Sequence, residues 1–195
     1  MNLRLFLLLI TIPAFISCAV PVKQDNVWQE VPYPETLQIQ SRSDWGWKGS
    51  VKPSESADIR NITILQSGIN IANESEPSIH YRNMPAPACH FLINADGTVY
   101  EAQPIGTSPK TTGSFDPTGH ILICVMGDYE TEYLNQFQMR SLIDLSTYLV
   151  ETYHIPLYNI QTMKEYSSAT LPAKHLYQYI ENDTLQARIR ERLPK

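Results

Sequence analysis

The stretch Ala88-Cys89-His90-Phe91-Leu92-Ile93-Asn94-Ala95-Asp96-Gly97-Thr98-Val99-Tyr100-Glu101 decides the fold. Residues 91–93 are an apolar run, residues 94–97 are typical of a turn, and residues 98–100 are β-branched or aromatic. A glycine in the turn accepts a positive φ without steric cost, so the pattern predicts a β-hairpin. By itself a hairpin indicates structure and no particular chemistry.

Two further segments predict strands of the same sheet. Residues 61–66 are β-branched between polar flanks, and residues 120–127 are apolar nearly throughout, as in a strand covered on both faces. A helix is predicted from about Thr131 to Ile155-Pro156, because apolar residues recur there at helical spacing. Residues 75–81 predict a short helix, residues 106–119 a long surface loop, and residues 173–193 are helical in composition. We therefore predict an α/β domain with a central mixed β-sheet flanked by helices.

The first 18 residues predict a targeting segment rather than a part of the fold. Arg4 precedes an apolar run over residues 5–16 that is too short to span a bilayer comfortably. The run ends in Phe15-Ile16-Ser17-Cys18, which looks like a bacterial lipobox, so we expect lipidation of Cys18 and membrane anchoring through its acyl chains. The alternative is a secretory signal that is cleaved nearby. Ala19 rather than Asp follows the cysteine, so we expect an outer-membrane lipoprotein facing the periplasm, or one at the cell surface.

The rest of the chain predicts one domain. Residues 19–40 contain three prolines among polar residues and are interpreted as a tether, leaving residues 41–195 as the domain. The net charge of −5 and the isoelectric point near 5.5 argue against nucleic acid as a partner.

The hairpin resembles the "HFLI…DG.vYE" hairpin of the N-acetylmuramoyl-L-alanine amidase and peptidoglycan-recognition protein family. Residues 41–47, Ser-Arg-Ser-Asp-Trp-Gly-Trp, look like the "R..WG" motif of the recognition-protein branch, and residues 120–127 are similar to its "sIGI…G" strand. The resemblance covers about residues 41–180. It implies a zinc amidase fold and peptidoglycan or muropeptides as the ligand.

The same resemblance implies that the zinc ligands are lost. The first His of the family's "HHT" falls on Leu65, and Gln66 takes that place if the register slides by one residue. In the motif "GHre.s.T.CPGk", the zinc His falls on Met163, the zinc Cys on Leu171 and the catalytic residue before it on Ala169. Leucine has no lone pair, and a neutral thioether is too soft to favour zinc. We therefore expect no zinc cofactor.

No other set of residues predicts a relocated metal site. The five histidines do not pair at the i, i+4 spacing that places two ligands on one helix face; they are His80, His90, His120, His154 and His175.

Three functions remain open at this stage. The first is a lipid-anchored envelope protein that binds peptidoglycan or muropeptides without catalysis, in a cleft bordered by Gln66, Ser67, His90, Lys110 and Lys164. The second is an active amidase that cleaves the MurNAc–L-Ala amide bond with zinc held by unidentified ligands. The third is an envelope module that binds a protein partner.

The resemblance also predicts a disulfide. One branch of the family has its catalytic Tyr where this chain has Cys89, and another has its catalytic Glu where this chain has Cys124. Because those groups do the same task, their replacements should lie close together. In an oxidising compartment, with Cys18 lipidated, we expect a Cys89–Cys124 bond; two buried free thiols are the alternative.

Overall fold

A computed structural model describes residues 33–34, 37–47, 58–70, 88–111, 115–167 and 172–194. Within these residues the chain forms one six-stranded mixed sheet in the order β1-β4-β3-β5-β2-β6. The strands are β1 (Ile39–Gln40), β2 (Asn61–Gln66), β3 (Phe91–Ile93), β4 (Val99–Glu101), β5 (His120–Val125) and β6 (Ile160–Thr162). The predicted α/β class with a mixed central sheet is confirmed.

The predicted hairpin supplies the only antiparallel pairing among the described strands. β3 and β4 pair antiparallel, whereas β5 pairs parallel with both β3 and β2, and β6 pairs parallel with β2. Gly97 in the turn has a φ of +85°, and a Cβ there would lie 2.9 Å from the carbonyl oxygen of Phe137. The turn therefore requires glycine for its backbone conformation and for its close approach to the first helix.

Three α-helices lie within the described residues: α1 (Gln136–Tyr153), α2 (Lys174–Glu181) and α3 (Thr184–Arg192). The predicted start of α1 near Thr131 is wrong by five residues. Asn135 is the N-cap, and its Oδ1 accepts hydrogen bonds from the backbone N–H groups of Phe137 and Gln138, each at 2.9 Å. Residues 173–193 form two helices because the chain breaks at Asn182-Asp183, where Asp183 has a φ of +61°.

The two faces of the sheet carry two separate apolar clusters. Alternate residues of β2 and β5, such as Ile62, Ile64 and Ile123, pack under the helices in the cluster that we call the helix-side core. The residues between them face the other way and join Trp45 and Trp47 in a second cluster, the open-side core. The pleat therefore separates neighbouring residues onto opposite faces.

The predicted tether is wrong for its last residues. Leu37 is buried in the helix-side core, and β1 pairs in parallel with β4 as the outermost strand on that side of the sheet. The Tyr33 ring packs edge-on against Phe91 and Tyr148 at centroid distances of 5.9 and 5.8 Å. The folded domain thus begins before Ser41, because these apolar side chains cover the edge of the core.

The predicted surface loop over residues 106–119 is also partly wrong. Gly106, Thr107 and Pro109 are buried, and Phe115 packs into the open-side core. The predicted signal segment, Cys18 and the helix over residues 75–81 lie outside the described residues. Of the helices in the described part of the chain, none is both long and apolar enough to cross a membrane.

Candidate functional site

The positions that the resemblance assigns to the amidase site come together on the open face of the sheet. Leu65 is the register partner of Cys124 across β2 and β5, and Leu92 of β3 pairs with Cys124 on its other side. Cys89 and Met163 belong to the same open-side core. Leu65 is half-buried, whereas Met163 and both cysteines are buried. We use the name floor for the side chains of Leu65, Cys89, Cys124 and Met163. They pack together in one apolar cluster.

The floor is a poor match to a zinc ion. Leu65 has no donor atom, and the Met163 thioether is neutral and soft. Among the residues that the structure describes, no three His, Cys, Asp or Glu side chains converge to hold a metal. Leu171 and Ala169 lie outside the described residues. The donor set at the two described positions therefore does not fit the zinc that the family fold implies.

The two cysteines are neighbours, as predicted, but they are not bonded. Both are buried free thiols, so the expected disulfide is absent from the structure. The hydrogen bond with Cys124, reinforced by burial, raises the pKa of the Cys89 thiol well above its ordinary value. The pair therefore packs as two small buried thiols on the floor.

Gln66 does not border a cleft. It is 6% exposed and points to the helix side, because it follows Leu65 in the pleat. Its Oε1 accepts a hydrogen bond from the backbone N–H of Tyr129, and its Nε2 donates to the carbonyl oxygen of Pro172. The amide thus joins the end of β2 to the segment that leads into α2.

Ser67 forms hydrogen bonds with backbone groups at the same end of β2. Its Oγ accepts hydrogen bonds from the N–H groups of Gly127 at 2.9 Å and Ile69 at 3.2 Å. The side chain is half-buried, and these contacts fix the turn after β2.

His90 is fully buried, so its predicted place at the edge of a ligand cleft is wrong. Its Nδ1 accepts a hydrogen bond from the backbone N–H of Leu122 at 2.9 Å, and its Nε2 lies 3.2 Å from the carbonyl oxygen of Thr107. These contacts require the neutral ring with its proton on Nε2. Burial lowers the pKa of His90 to about 4.

The two predicted cleft lysines are not brought together. Lys110 is exposed in the loop after β4. Lys164 is exposed too, but its Nζ lies 2.8 Å from Oε1 of Glu181 on α2, so it faces the helix side. Of the predicted cleft residues, Ser67 and Lys110 are the ones still compatible with a cleft on the open face.

Sequence reasoning missed an aromatic group around His120. The imidazole lies between Phe115 and Tyr166 at centroid distances of 5.1 and 4.9 Å, and its Nδ1 is 2.9 Å from Oγ1 of Thr63. Burial lowers the pKa of His120. The signal was available, because His120 shares the alternation of Leu122 and Cys124 and so faces the open side.

The fold matches solved structures of amidases and recognition proteins. The amidase LysC from Clostridium intestinale shares 23% identity and a TM-score of 0.59, over 75% of this chain and 96% of that one. Drosophila peptidoglycan recognition protein SA shares 19% identity and a TM-score of 0.63, over 73% and 90%. Human PGRP-Iβ C, solved in complex with glycosamyl muramyl pentapeptide, shares 20% identity and a TM-score of 0.62, over 74% and 94%.

At these identities the similarity shows the fold alone, and no curated protein sequence matches the chain. The family profile is more specific. The profile of the N-acetylmuramoyl-L-alanine amidase family (Amidase_2) matches residues 55–179, well over half of the chain. This match shows that the chain belongs to the N-acetylmuramoyl-L-alanine amidase family.

Proposed function

We propose that this chain is a peptidoglycan-binding member of the amidase family that holds muropeptides without hydrolysing them. The observation that carries the proposal is the floor, where Leu65 and Met163 stand at two zinc positions and pack with Cys89 and Cys124. Zinc hydrolysis needs three ligands and an open position for water. An apolar floor provides neither the ligands nor the polarity that they require.

Leu65 and Met163 replace two zinc ligands with apolar side chains of similar bulk, so the two substitutions have one physical explanation. A buried histidine or thiolate that lacked its metal would be an unpaired polar group, at a cost of about 1–3 kcal/mol each. Leucine and methionine of similar bulk remove that cost and keep the floor packed. The fold is thereby retained while the hydrolytic chemistry is given up.

The ligand class follows from the family and its relatives. A structural neighbour of this fold is described in complex with glycosamyl muramyl pentapeptide. The exposed Lys110 can pair with a carboxylate of such a ligand, and Ser67 follows the end of β2, two residues after Leu65. We further propose anchoring through lipidated Cys18, which would hold the domain at the outer membrane, within reach of the cell wall.

The first prediction concerns metal and hydrolysis. The purified chain should contain no stoichiometric zinc and should release no peptide from muropeptides, as measured by elemental analysis and by chromatography of the products. A triple variant, Leu65→His, Met163→His and Leu171→Cys, restores the family's ligands and should take up zinc. Chelator-sensitive hydrolysis by the natural chain would establish the active-amidase alternative instead.

The second prediction concerns binding. The chain should sediment with insoluble peptidoglycan, and Lys110→Ala should weaken this binding by up to about fivefold, since an exposed ion pair contributes up to about 1 kcal/mol. Added salt should reduce the difference between the two proteins. Arg190→Ala is the matched control, because Arg190 is exposed on α3 at the other side of the sheet. A natural chain that stays in the supernatant would favour the protein-partner function.

A further inference from the structure

A groove runs along α2 on the helix side of the sheet, and no floor residue is among those that line it. Its volume is about 640 Å³, within the range of ligand sites. Ala173 and Tyr177, which belong to the helix-side core, line its base together with the buried Ser167. The peptidoglycan proposal above uses the open face, so it leaves this groove without a role.

Opposite charges stand at both ends of the groove. At the start of α2, Lys174 Nζ lies 3.1 Å from Glu130 Oε1, and at its end, Glu181 Oε1 lies 2.8 Å from Lys164 Nζ. All four side chains are 38–61% exposed. Ion pairs as exposed as these contribute little to stability, so a ligand that offers matching charges can replace one partner of each at small cost.

The charges on α2 itself run against its dipole. The first turn of a helix favours acidic side chains and the last turn basic ones. In α2 the first residue is Lys174 and the last is Glu181, with no acidic residue in the first turn and no basic residue in the last. Such departures from local preference are expected at functional positions.

We propose that this groove binds a short peptide with free amino and carboxyl termini. Its carboxylate lies at Lys174, where the N-terminal end of α2 adds positive potential, and its ammonium group lies at Glu181. The groove as a whole is electrically balanced, with two lysines and two glutamates on its rim, which suits a zwitterion rather than a purely anionic or cationic ligand.

The distance between the two charges sets the length of the peptide. Lys174 and Glu181 are seven residues apart, or about 10 Å along a helix that rises 1.5 Å per residue. An extended chain covers about 3.3 Å per residue, so about three residues span the groove. Beside Lys174, the His175 ring stacks on Tyr133 at a centroid distance of 3.9 Å, and Tyr133 is 69% exposed. Of the two, His175 lines the groove, and its ring offers an aromatic wall to an apolar side chain.

The test compares three peptides on the full chain, purified in a non-ionic detergent and followed by calorimetric titration. Trialanine should bind about two- to fivefold more tightly than N-acetyl-trialanine or trialanine amide, as exposed ion pairs contribute up to about 1 kcal/mol each. In Lys174→Met the free acid and the amide should bind equally, while the preference for the free amine persists. In Glu181→Gln the preference for the free amine should disappear and that for the carboxylate should persist.

Matched controls are Arg190→Met and Glu151→Gln, which change exposed charges outside the groove and should leave all three affinities unchanged. The natural chain alone can overturn the proposal. It does so if it binds free and blocked peptides equally, or if it does not bind trialanine at millimolar concentration. If Lys174→Met abolishes the preference for the free amine and Glu181→Gln the preference for the carboxylate, the proposed orientation of the peptide is wrong. The peptidoglycan proposal is tested through Lys110→Ala, which lies outside the groove, so the outcome of that comparison is independent of these results.

Discussion

Gly127→Ala should lower the free energy of unfolding by about 3–5 kcal/mol, which combines overpacking of a core with backbone strain. Gly127 has a φ of +153°, and a Cβ there would lie 2.6 Å from Cζ of the Tyr129 ring and 2.9 Å from its hydroxyl oxygen. Real Cβ atoms do not approach other atoms so closely. Either the ring or the turn after β5 must move.

The Tyr129 ring has no room to yield. It is fully buried, and its hydroxyl lies 2.7 Å from the carbonyl oxygen of Met126 and 2.8 Å from Oε1 of Gln138. Burial also raises the pKa of this hydroxyl, so it remains a donor. A displaced ring would lose these hydrogen bonds and open the core beneath α1.

Gly68→Ala is the matched control for this substitution. Gly68 also has a positive φ, +70°, but it is exposed, so only the left-handed backbone conformation is penalised, by about 1–2 kcal/mol. Urea denaturation of the natural chain and both variants measures the two losses. Equal losses in the two variants would show that Tyr129 does not contact position 127 as described.

The second large effect is a loss of stability in acid that arises at His90. The ring is buried and neutral in the folded state, with a pKa of about 4, while an unfolded histidine titrates near 6.5. Between these values the unfolded chain binds a proton that the folded chain does not, so protons favour unfolding. The contribution of His90 to the free energy of unfolding should therefore be fully present above about pH 6.5. It should fall by roughly 3 kcal/mol as the pH drops to about 4.

The measurement is the free energy of unfolding of the natural chain and of His90→Asn at several pH values from 7 to 4. Asparagine keeps an acceptor near the N–H of Leu122 but does not titrate, so the variant should be less stable at pH 7 and lose less on acidification. His154→Asn is the control, because His154 is exposed and caps α1 in a left-handed conformation that asparagine tolerates. If His90→Asn loses stability in acid as steeply as the natural chain, another group is responsible.

Local pattern was sufficient for the strands that lie in the middle of the sheet. The hairpin, β2 and β5 follow from apolar alternation, turn residues and a β-branched run, all of which act between neighbours in the chain. The start of α1 did not follow. The residues before Asn135 have helical spacing, but the Asn135 side chain caps the helix and also donates to the carbonyl oxygen of Ala95 in the hairpin. Such a contact spans 40 residues and leaves no local signal.

What the sequence alone determined is the chemistry available at the family's site. Leucine and methionine lack zinc-binding character wherever they stand, so Leu65, Met163 and Leu171 predict the loss of the metal without any coordinates. The tertiary structure decided which side chains share a surface. It buried His90 against Thr107 and Leu122, turned Gln66 to the helix side, and paired Lys164 with Glu181. These outcomes depend on the pleat and on partners far along the chain, because a side chain's surroundings come from the elements packed around it.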